Sequence, residues 1–399
     1  MSNAPNMAKN TPRTSDGAHA SRGFPGPWWL PILAVYTPVV AYLFRPVQHT
    51  GDGAAYTLQA LHGPILDRAV HGGWLVPLSP WTRALAALGI NPSAATNAAS
   101  VLAMGAALLL MAALAAELVR EAGDGRRGDA LLAPTVALCS VAVWDAALFA
   151  EIYGPLAALC LGAVFTLRRG AVLGAASLLF LTWATHPGSL ALLPGLAVLG
   201  TPPGRTRSTG WAFSFAVALS VLWVFTIGVG EWLGPRGLMA PGADVSTWHA
   251  LQRAWRLLAR DLGGASLPLL AGAAIAWTRR TSAELQWLKG CGVLLLGTIL
   301  VLDRFSDNPA ALPLLLLCCP LAALAPAGLR ELAPRGARAG AALLVLLMVL
   351  GVTEAATRED AVVRAAARNH ENRASRCEEP TPDEVRWRER MLLDLACDH

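Results

Sequence analysis

Apolar residues along this chain gather in long runs instead of alternating with polar ones. WWLPILAVYTPVVAYLF (28–44), ASVLAMGAALLLMAALAAELV (99–119) and AALLVLLMVLGV (341–352) carry almost no charge. A bilayer core takes about 20 predominantly apolar residues per helix. On that measure the pattern predicts about eleven spans, near 28–44, 95–118, 130–149, 153–167, 171–184, 188–202, 211–230, 264–278, 288–302, 309–328 and 339–355. The thinnest break is Thr185–Gly188, between the fifth and sixth. Hydrocarbon cannot satisfy open backbone groups. The expected fold class is therefore all-α, a polytopic transmembrane helix bundle.

Basic residues orient the bundle. With the N-terminus inside, sixteen lysines and arginines fall in cytoplasmic segments, eight in outer loops and eight in the C-terminal tail. Long segments translocate with little regard to charge, so sixteen against eight is the relevant comparison, and it predicts N-inside, C-outside. Residues 1–27, polar and rich in Ser, Pro, Gly and Ala, read as a disordered cytoplasmic tail. Residues 28–44 form a first span instead of a signal sequence, being long for an h-region and lacking a small-residue cleavage site. The membrane domain covers 28–355, with long outer loops at 45–94 and 231–263, and 356–399 is an extracytoplasmic tail.

Composition agrees: 54% hydrophobic and 15% charged, where soluble domains carry about a quarter charged residues. The net charge of +5 comes from basic residues scattered between spans, as membrane orientation requires, so a nucleic-acid partner is not expected. Five cysteines (Cys139, Cys160, Cys291, Cys318, Cys319) lie in or beside apolar runs and read as small buried hydrophobes. Cys377 and Cys397 sit in the tail and can pair if it faces an oxidising compartment.

Polar chemistry concentrates on the outer side, which holds seven of the eight histidines. The first outer loop is about fifty residues long, a length that is usually functional or disordered. Its Tyr56, Trp74 and Trp81 argue against disorder, and SPWTRALAALGI (79–90) has the pattern of an interfacial helix. Within it, Gly51-Asp52-Gly53 allows a tight turn close to a ligand, and an acid beside the membrane can act as a base or hold a metal. An Asp in a glycine turn is also common for purely conformational reasons.

WDAALFAEIYGP (144–155) places Asp145, Glu151 and Tyr153 around the outer end of the third span, where a buried acid is costly and marks function, although headgroup depth lowers that cost. His186 in THPGSLALLPG (185–195) is a hydrogen-bonding candidate or a helix cap. Arg304, between Asp303 and Asp307, is an ion-pair partner or a phosphate ligand. VSTWHALQRAWRLLARDL (245–262) aligns Trp248, Leu251, Trp255 and Leu258 on one stripe, with Arg253, Arg256 and Arg260 elsewhere. That is an interfacial helix or a lid. No Walker A, GxSxG, HExxH or CxxC pattern occurs.

Taken in order, Gly51-Asp52-Gly53, Asn97-Ala98-Ala99-Ser100, Trp144 through Glu151-Ile152-Tyr153, and His186 resemble the N-terminal half of GT-C-type membrane glycosyltransferases. The branch most similar is the protein O-mannosyltransferase-like one, catalogued as a domain of unknown function, over roughly residues 28–200. The resemblance implies transfer of a hexosyl or mannosyl group from a polyprenyl-phosphate-linked sugar to a protein or glycan acceptor. The site would lie on the extracytoplasmic face of a bacterial cytoplasmic membrane, in contact with membrane lipid. It implies Asp52 as catalytic base and Glu151 and His186 lining the site; on that reading Tyr153 would join them in orienting sugar hydroxyls, and Arg304 or the arginines of 245–262 would meet the leaving phosphate. Ala54 stands where the family has a second acid, and HGGWLVP (71–77) replaces a His-Pro-Pro-Gly-Tyr-like segment. No metal ligands are therefore assigned and no cofactor is assigned with certainty, a divalent metal being left open. Two alternatives remain: a catalytically silent GT-C-like subunit that binds a partner through its outer loops, and a lipid or solute transporter.

Overall fold

The computed structural model describes residues 32–33, 36–37, 52–61, 71–123, 127–148, 152–202, 206–227, 266–302, 311–332, 346 and 350. Among them there are helices and 3-10 turns and no strand. The segment expected as the first outer loop holds two helices, α1 (Asp52–Leu61) and α2 (Gly72–Ala87). The stretch 79–90 is thus mostly the second half of α2, and Ser79 and Thr82 on it are buried against protein.

α3 (Pro92–Ala122) starts where Pro92 needs no N–H partner and Asn91 accepts from the Ser93 and Ala94 amides at 2.8 and 3.4 Å. It ends at Gly123, which alone tolerates its left-handed φ of +89° without cost. At 1.5 Å per residue it spans about 46 Å, more than a hydrocarbon core.

The span expected over 130–149 is divided. A 3-10 turn (Arg127–Leu131) leads into α4 (Leu132–Leu138), and α5 (Val141–Leu148) follows a break at Cys139–Ser140. The Trp144 indole N–H donates to the Leu138 carbonyl at 2.9 Å, satisfying an acceptor that the break would orphan. Then come α6 (Tyr153–Arg169), α7 (Val172–Thr185), a 3-10 turn (Pro187–Leu192), α8 (Leu193–Gly200) and α9 (Thr206–Ile227). The last described group is α10 (Ser266–Arg279), α11 (Ser282–Leu302), α12 (Ala311–Cys318), a 3-10 turn at Cys319–Leu324 and α13 (Ala325–Leu332). Three stretches are long and apolar enough to cross a membrane among the described residues: Pro92–Ala122, Thr206–Thr226 and Leu312–Glu331.

Two devices hold the bundle. Glycines allow close helix contact, as in membrane packing generally: a Cβ on Gly195 would meet Leu294, one on Gly290 would meet Leu199, and one on Gly272 would fall 1.8 Å from the Leu321 carbonyl oxygen. Ion pairs gather at the end where α3, α6, α10 and α13 finish. Buried Arg168 reaches Glu117 at 3.2 Å, Glu121 at 2.5 Å and the Leu199 carbonyl at 3.1 Å. Arg330 grips Asp129 with two bonds of 3.2 and 2.6 Å, and Arg279 pairs with Glu331 and Glu284. These arginines belong to the segments whose charge predicted a cytoplasmic location. α9 exposes Trp211, Phe215, Val217, Val221, Leu222 and Phe225, a face that suits lipid better than water.

The tail 1–27, nearly all of span 28–44, loop 231–263, most of span 339–355, and the tail 356–399 with Cys377 and Cys397 lie outside the described residues.

Candidate functional site

At the end opposite the ion pairs, two glycines set the geometry. A Cβ on Gly73 would lie 2.6 Å from the Thr185 nitrogen and 2.7 Å from the Leu181 carbonyl oxygen, and one on Gly72 would lie 2.5 Å from the Trp223 ring. With hydrogens in their place, α2 rests directly on the backbone of α7. His71, just before α2, then meets His186, just after α7, with ring centroids 5.6 Å apart and planes tilted by 34°.

Each imidazole is anchored to main chain. His71 Nδ1 lies 2.9 Å from the Thr185 carbonyl oxygen, which can only accept. His186 Nδ1 accepts from the Gly188 amide at 3.0 Å, capping the Pro187–Leu192 turn. Burial, and then the nearby His71, lowers the His186 pKa to about 3, so this ring stays neutral at ordinary pH. Tyr56 of α1 meets His71 edge-on at 5.8 Å.

Below this pair lies an apolar floor of Tyr56, Ala60, Trp74, Leu75, Leu78 and Ile152, with Tyr153 packed against it. The Ala60 carbonyl near the end of α1 accepts from Ser79 Oγ at 2.8 Å and Arg83 Nε at 3.0 Å, tying α1 to α2. On the same three helices, α1 to α3, Gln59 Oε1, Trp74 Nε1, Asn97 Oδ1 and Ser100 Oγ are buried without a hydrogen-bond partner. A buried orphan of this kind costs about 1–3 kcal/mol, and such groups are ready to engage a polar ligand.

The sequence candidates fall unevenly around this site. Asp52 is the first residue of α1, one helical turn before Tyr56 on the same face, and its side chain lies outside what is described. Tyr153 begins α6 beside the apolar floor, and His186 is half of the imidazole pair. Glu151 and Arg304, the Asp145 side chain and the 245–262 arginines lie outside the described residues. His71 was not singled out by sequence. Its signal was the Gly-Gly that follows it, a pattern that permits close backbone approach. Among the described residues no three ligating side chains gather.

An apolar groove of about 340 Å³ opens beside His186, between α7, the Pro187–Leu192 turn, α8 and α9. Trp183, Leu190, Leu193, Phe213, Val217 and Phe225 are among the residues lining it.

No known protein-family profile matches the sequence, and no curated protein matches it. Solved structures do match in three dimensions, among them two of one protein. The crystal structure of ArnT from Cupriavidus metallidurans bound to undecaprenyl phosphate superimposes with a TM-score of 0.61 at 14% identity, covering 93% of this chain and 85% of that one. The apo form of the same protein gives a TM-score of 0.61 at 14% identity, covering 93% and 84%. At that identity the likeness shows the fold alone: an ArnT-like helical architecture along nearly the whole chain.

Proposed function

We propose that this chain is an integral membrane glycosyltransferase of GT-C type, moving a sugar from a polyprenyl-phosphate carrier to an acceptor hydroxyl. The observation that carries the reading is the meeting, at one end of an ArnT-like fold, of the helix headed by Asp52 with the His71–His186 pair and Tyr153. The undecaprenyl phosphate bound by ArnT supports a lipid-phosphate donor here. The apolar groove beside His186 suits a polyprenyl tail, which brings donor and site together without a soluble intermediate.

In this mechanism Asp52 takes the proton from the acceptor hydroxyl as its oxygen attacks the anomeric carbon. The bond from that carbon to the phosphate oxygen breaks with inversion, and polyprenyl phosphate departs. Arg304 and the arginines of 245–262 offset the charge on the leaving phosphate. Glu151, Tyr153 and His186 hold sugar hydroxyls. No step is assigned to a metal: Ala54 stands where the resembled motif has its second acid, and a divalent metal is left open.

The finer layout belongs to the same proposal: eleven spans, N-inside and C-outside, residues 28–355 as the transferase domain, the site on the outer face of a bacterial cytoplasmic membrane, and kinship with the O-mannosyltransferase-like branch. The test is Asp52→Asn in membranes supplied with a lipid-linked sugar. Transfer is expected to fall at least 100-fold, in the range that general acid–base groups contribute (roughly 10²–10⁴-fold), and full retention would remove Asp52 from the role of base.

Ala54 favours a second reading, a catalytically silent GT-C-like subunit. Purification of a stable protein partner with the chain, and no bound polyprenyl phosphate, would decide for it.

A further inference from the structure

We infer that the turn joining α10 to α11 binds an anionic phospholipid, with Arg280 and Trp277 meeting the head-group phosphate and the outer stripe of α10 carrying an acyl chain. This turn belongs to the end of the bundle opposite the candidate transfer site. The inference goes beyond the transferase reading and needs only that the chain sits in a bilayer.

The backbone gives the first sign. Among the described residues Gly89, Gly123 and Gly170 have a left-handed φ, each at or just past a helix end. Arg280, just past α10, is the non-glycine residue that does the same, at φ +53°. Its amide donates to the Ala276 carbonyl at 3.1 Å, a bond with which helices commonly close on glycine. A side chain at such a position is strained where glycine is not. Making the turn therefore does not by itself account for an arginine.

Two contacts hold that side chain in one pose. Nε donates to the Trp277 carbonyl at 3.1 Å, an acceptor that the helix end would otherwise leave open. The guanidinium carbon lies over the Trp277 ring, 4.9 Å from its centroid. With Nε engaged, Nη1 and Nη2 remain for two phosphate oxygens, the geometry in which a guanidinium matches phosphate.

Charge balance sets Arg280 apart from its neighbours. Arg168 pairs with Glu117 and Glu121, Arg330 with Asp129, and Arg279 with Glu284 and Glu331. Arg280 is exposed, and no carboxylate pairs with it among the described residues. It is a cation left for an anion from outside the chain.

The apolar part of the site runs along α10. Leu267, Leu270, Ala274 and Trp277 are exposed on one stripe, while Pro268, Gly272, Ile275 and Ala276 are buried on the opposite face. At 1.5 Å per residue the stripe extends about 15 Å back from Trp277, half of a hydrocarbon core about 30 Å thick. Trp277 closes it at 61% exposure, and an indole suits head-group depth. Stripe, ring and guanidinium thus follow one another as acyl chain, glycerol level and phosphate do in a single phospholipid. A free phosphate gains nothing from the stripe. A zwitterionic lipid carries its own cation beside the phosphate, which offsets the attraction of Arg280.

The test is native mass spectrometry of the full chain in detergent, titrated with phosphatidylglycerol or phosphatidylcholine of identical acyl chains. The wild type is expected to bind the first phosphatidylglycerol about tenfold more tightly than phosphatidylcholine, the scale of one charge-assisted hydrogen bond. Arg280→Gln should reduce that preference to about twofold or less, and Arg280→Lys, which keeps the charge without the fork, should fall between. Arg207→Gln removes another exposed arginine at the same end and should leave the preference intact. Arg280→Gly should lose the preference yet melt, without lipid, no lower than the wild type, because glycine relieves the strain at φ +53°.

No preference in the wild type, or one that survives in Arg280→Gln, overturns the site. Equal losses in Arg280→Gln and Arg207→Gln reduce the effect to net charge and overturn it too. Arg280→Gly melting well below the wild type without lipid shows that the arginine serves the turn itself, and removes the ground for a ligand. Inorganic phosphate that raises the melting temperature as much as phosphatidylglycerol does makes the occupant a soluble anion and overturns a lipid site.

Discussion

Replacing Gly73 by alanine drives a methyl group into the backbone of α7. The added carbon would sit 2.6 Å from the Thr185 nitrogen and 2.7 Å from both the Leu181 carbonyl oxygen and Thr185 Oγ1. Ordinary contact begins at 3.4 Å, so α2 and α7 must part by about 0.8 Å. Two of the three atoms are main chain, so no side-chain rotation relieves the clash. Overpacking of this kind costs about 1–3 kcal/mol, partly offset by the roughly 1 kcal/mol that alanine gains over glycine within a helix. The net expectation is a loss of up to about 2 kcal/mol.

The same displacement acts on the site, because His71 is joined to α2 and His186 to α7. A misplacement of about 1 Å at a reacting centre can cost about 10²-fold in rate. The assay is thermal unfolding in detergent, followed by the fluorescence of the chain's 14 tryptophans. Gly292→Ala on α11 serves as the control, since nothing lies within 4 Å of its Cβ position and alanine there should stabilise slightly. Gly73→Ala melting at or above the wild-type temperature would refute the close-contact argument.

Further expectations follow from the same geometry. Gly272→Ala, whose Cβ would fall 1.8 Å from the Leu321 carbonyl oxygen, should lower the melting temperature more than Gly73→Ala; an equal or smaller loss argues against that helix crossing. Asp129→Asn removes the charge facing the two Arg330 nitrogens and should cost about 1–3 kcal/mol. The exchange of the two residues, Asp129→Arg with Arg330→Asp, should recover part of it, and no recovery in a double-mutant cycle would show that the pair is not coupled.

His186 titrates near 6.5 when unfolded but is lowered to about 3 by burial and by His71, so between those values the unfolded chain holds a proton that the folded chain lacks. Stability contributed there is complete above about pH 6.5 and is lost as pH falls toward 3. Melting temperatures measured between pH 7 and 4 should show that decline, and His186→Gln should flatten it.

How far the sequence alone carries can be judged residue by residue. The long apolar runs made the helical class legible, because hydrocarbon leaves the backbone few alternatives. The charge bias likewise marked one end of the bundle, where Arg168, Arg279 and Arg330 now converge in ion pairs. Breaks within runs were not legible. Cys139–Ser140 interrupts 130–149 by virtue of a tertiary hydrogen bond from Trp144, and the turn at Pro320 depends on close packing against α10.

The segment 45–94 read as a loop because its apolar runs are too short to cross a bilayer. α1 and α2 form there by packing on α3 and α7, a stabilisation that no local window contains. His186 could be picked out from its Pro-Gly turn. His71 could not, since its importance lies in the spatial meeting that Gly73 permits.

The central claim is that this chain breaks the bond between a sugar and polyprenyl phosphate. The most direct measurement places the purified full chain in vesicles containing undecaprenyl phosphate linked to a radiolabelled hexose, with membrane extract as the source of acceptor. The account predicts time-dependent release of undecaprenyl phosphate and appearance of label in an acceptor, both lost in Asp52→Asn vesicles. Release in wild-type vesicles no faster than in protein-free vesicles, across glucose, galactose and mannose carriers, would contradict it.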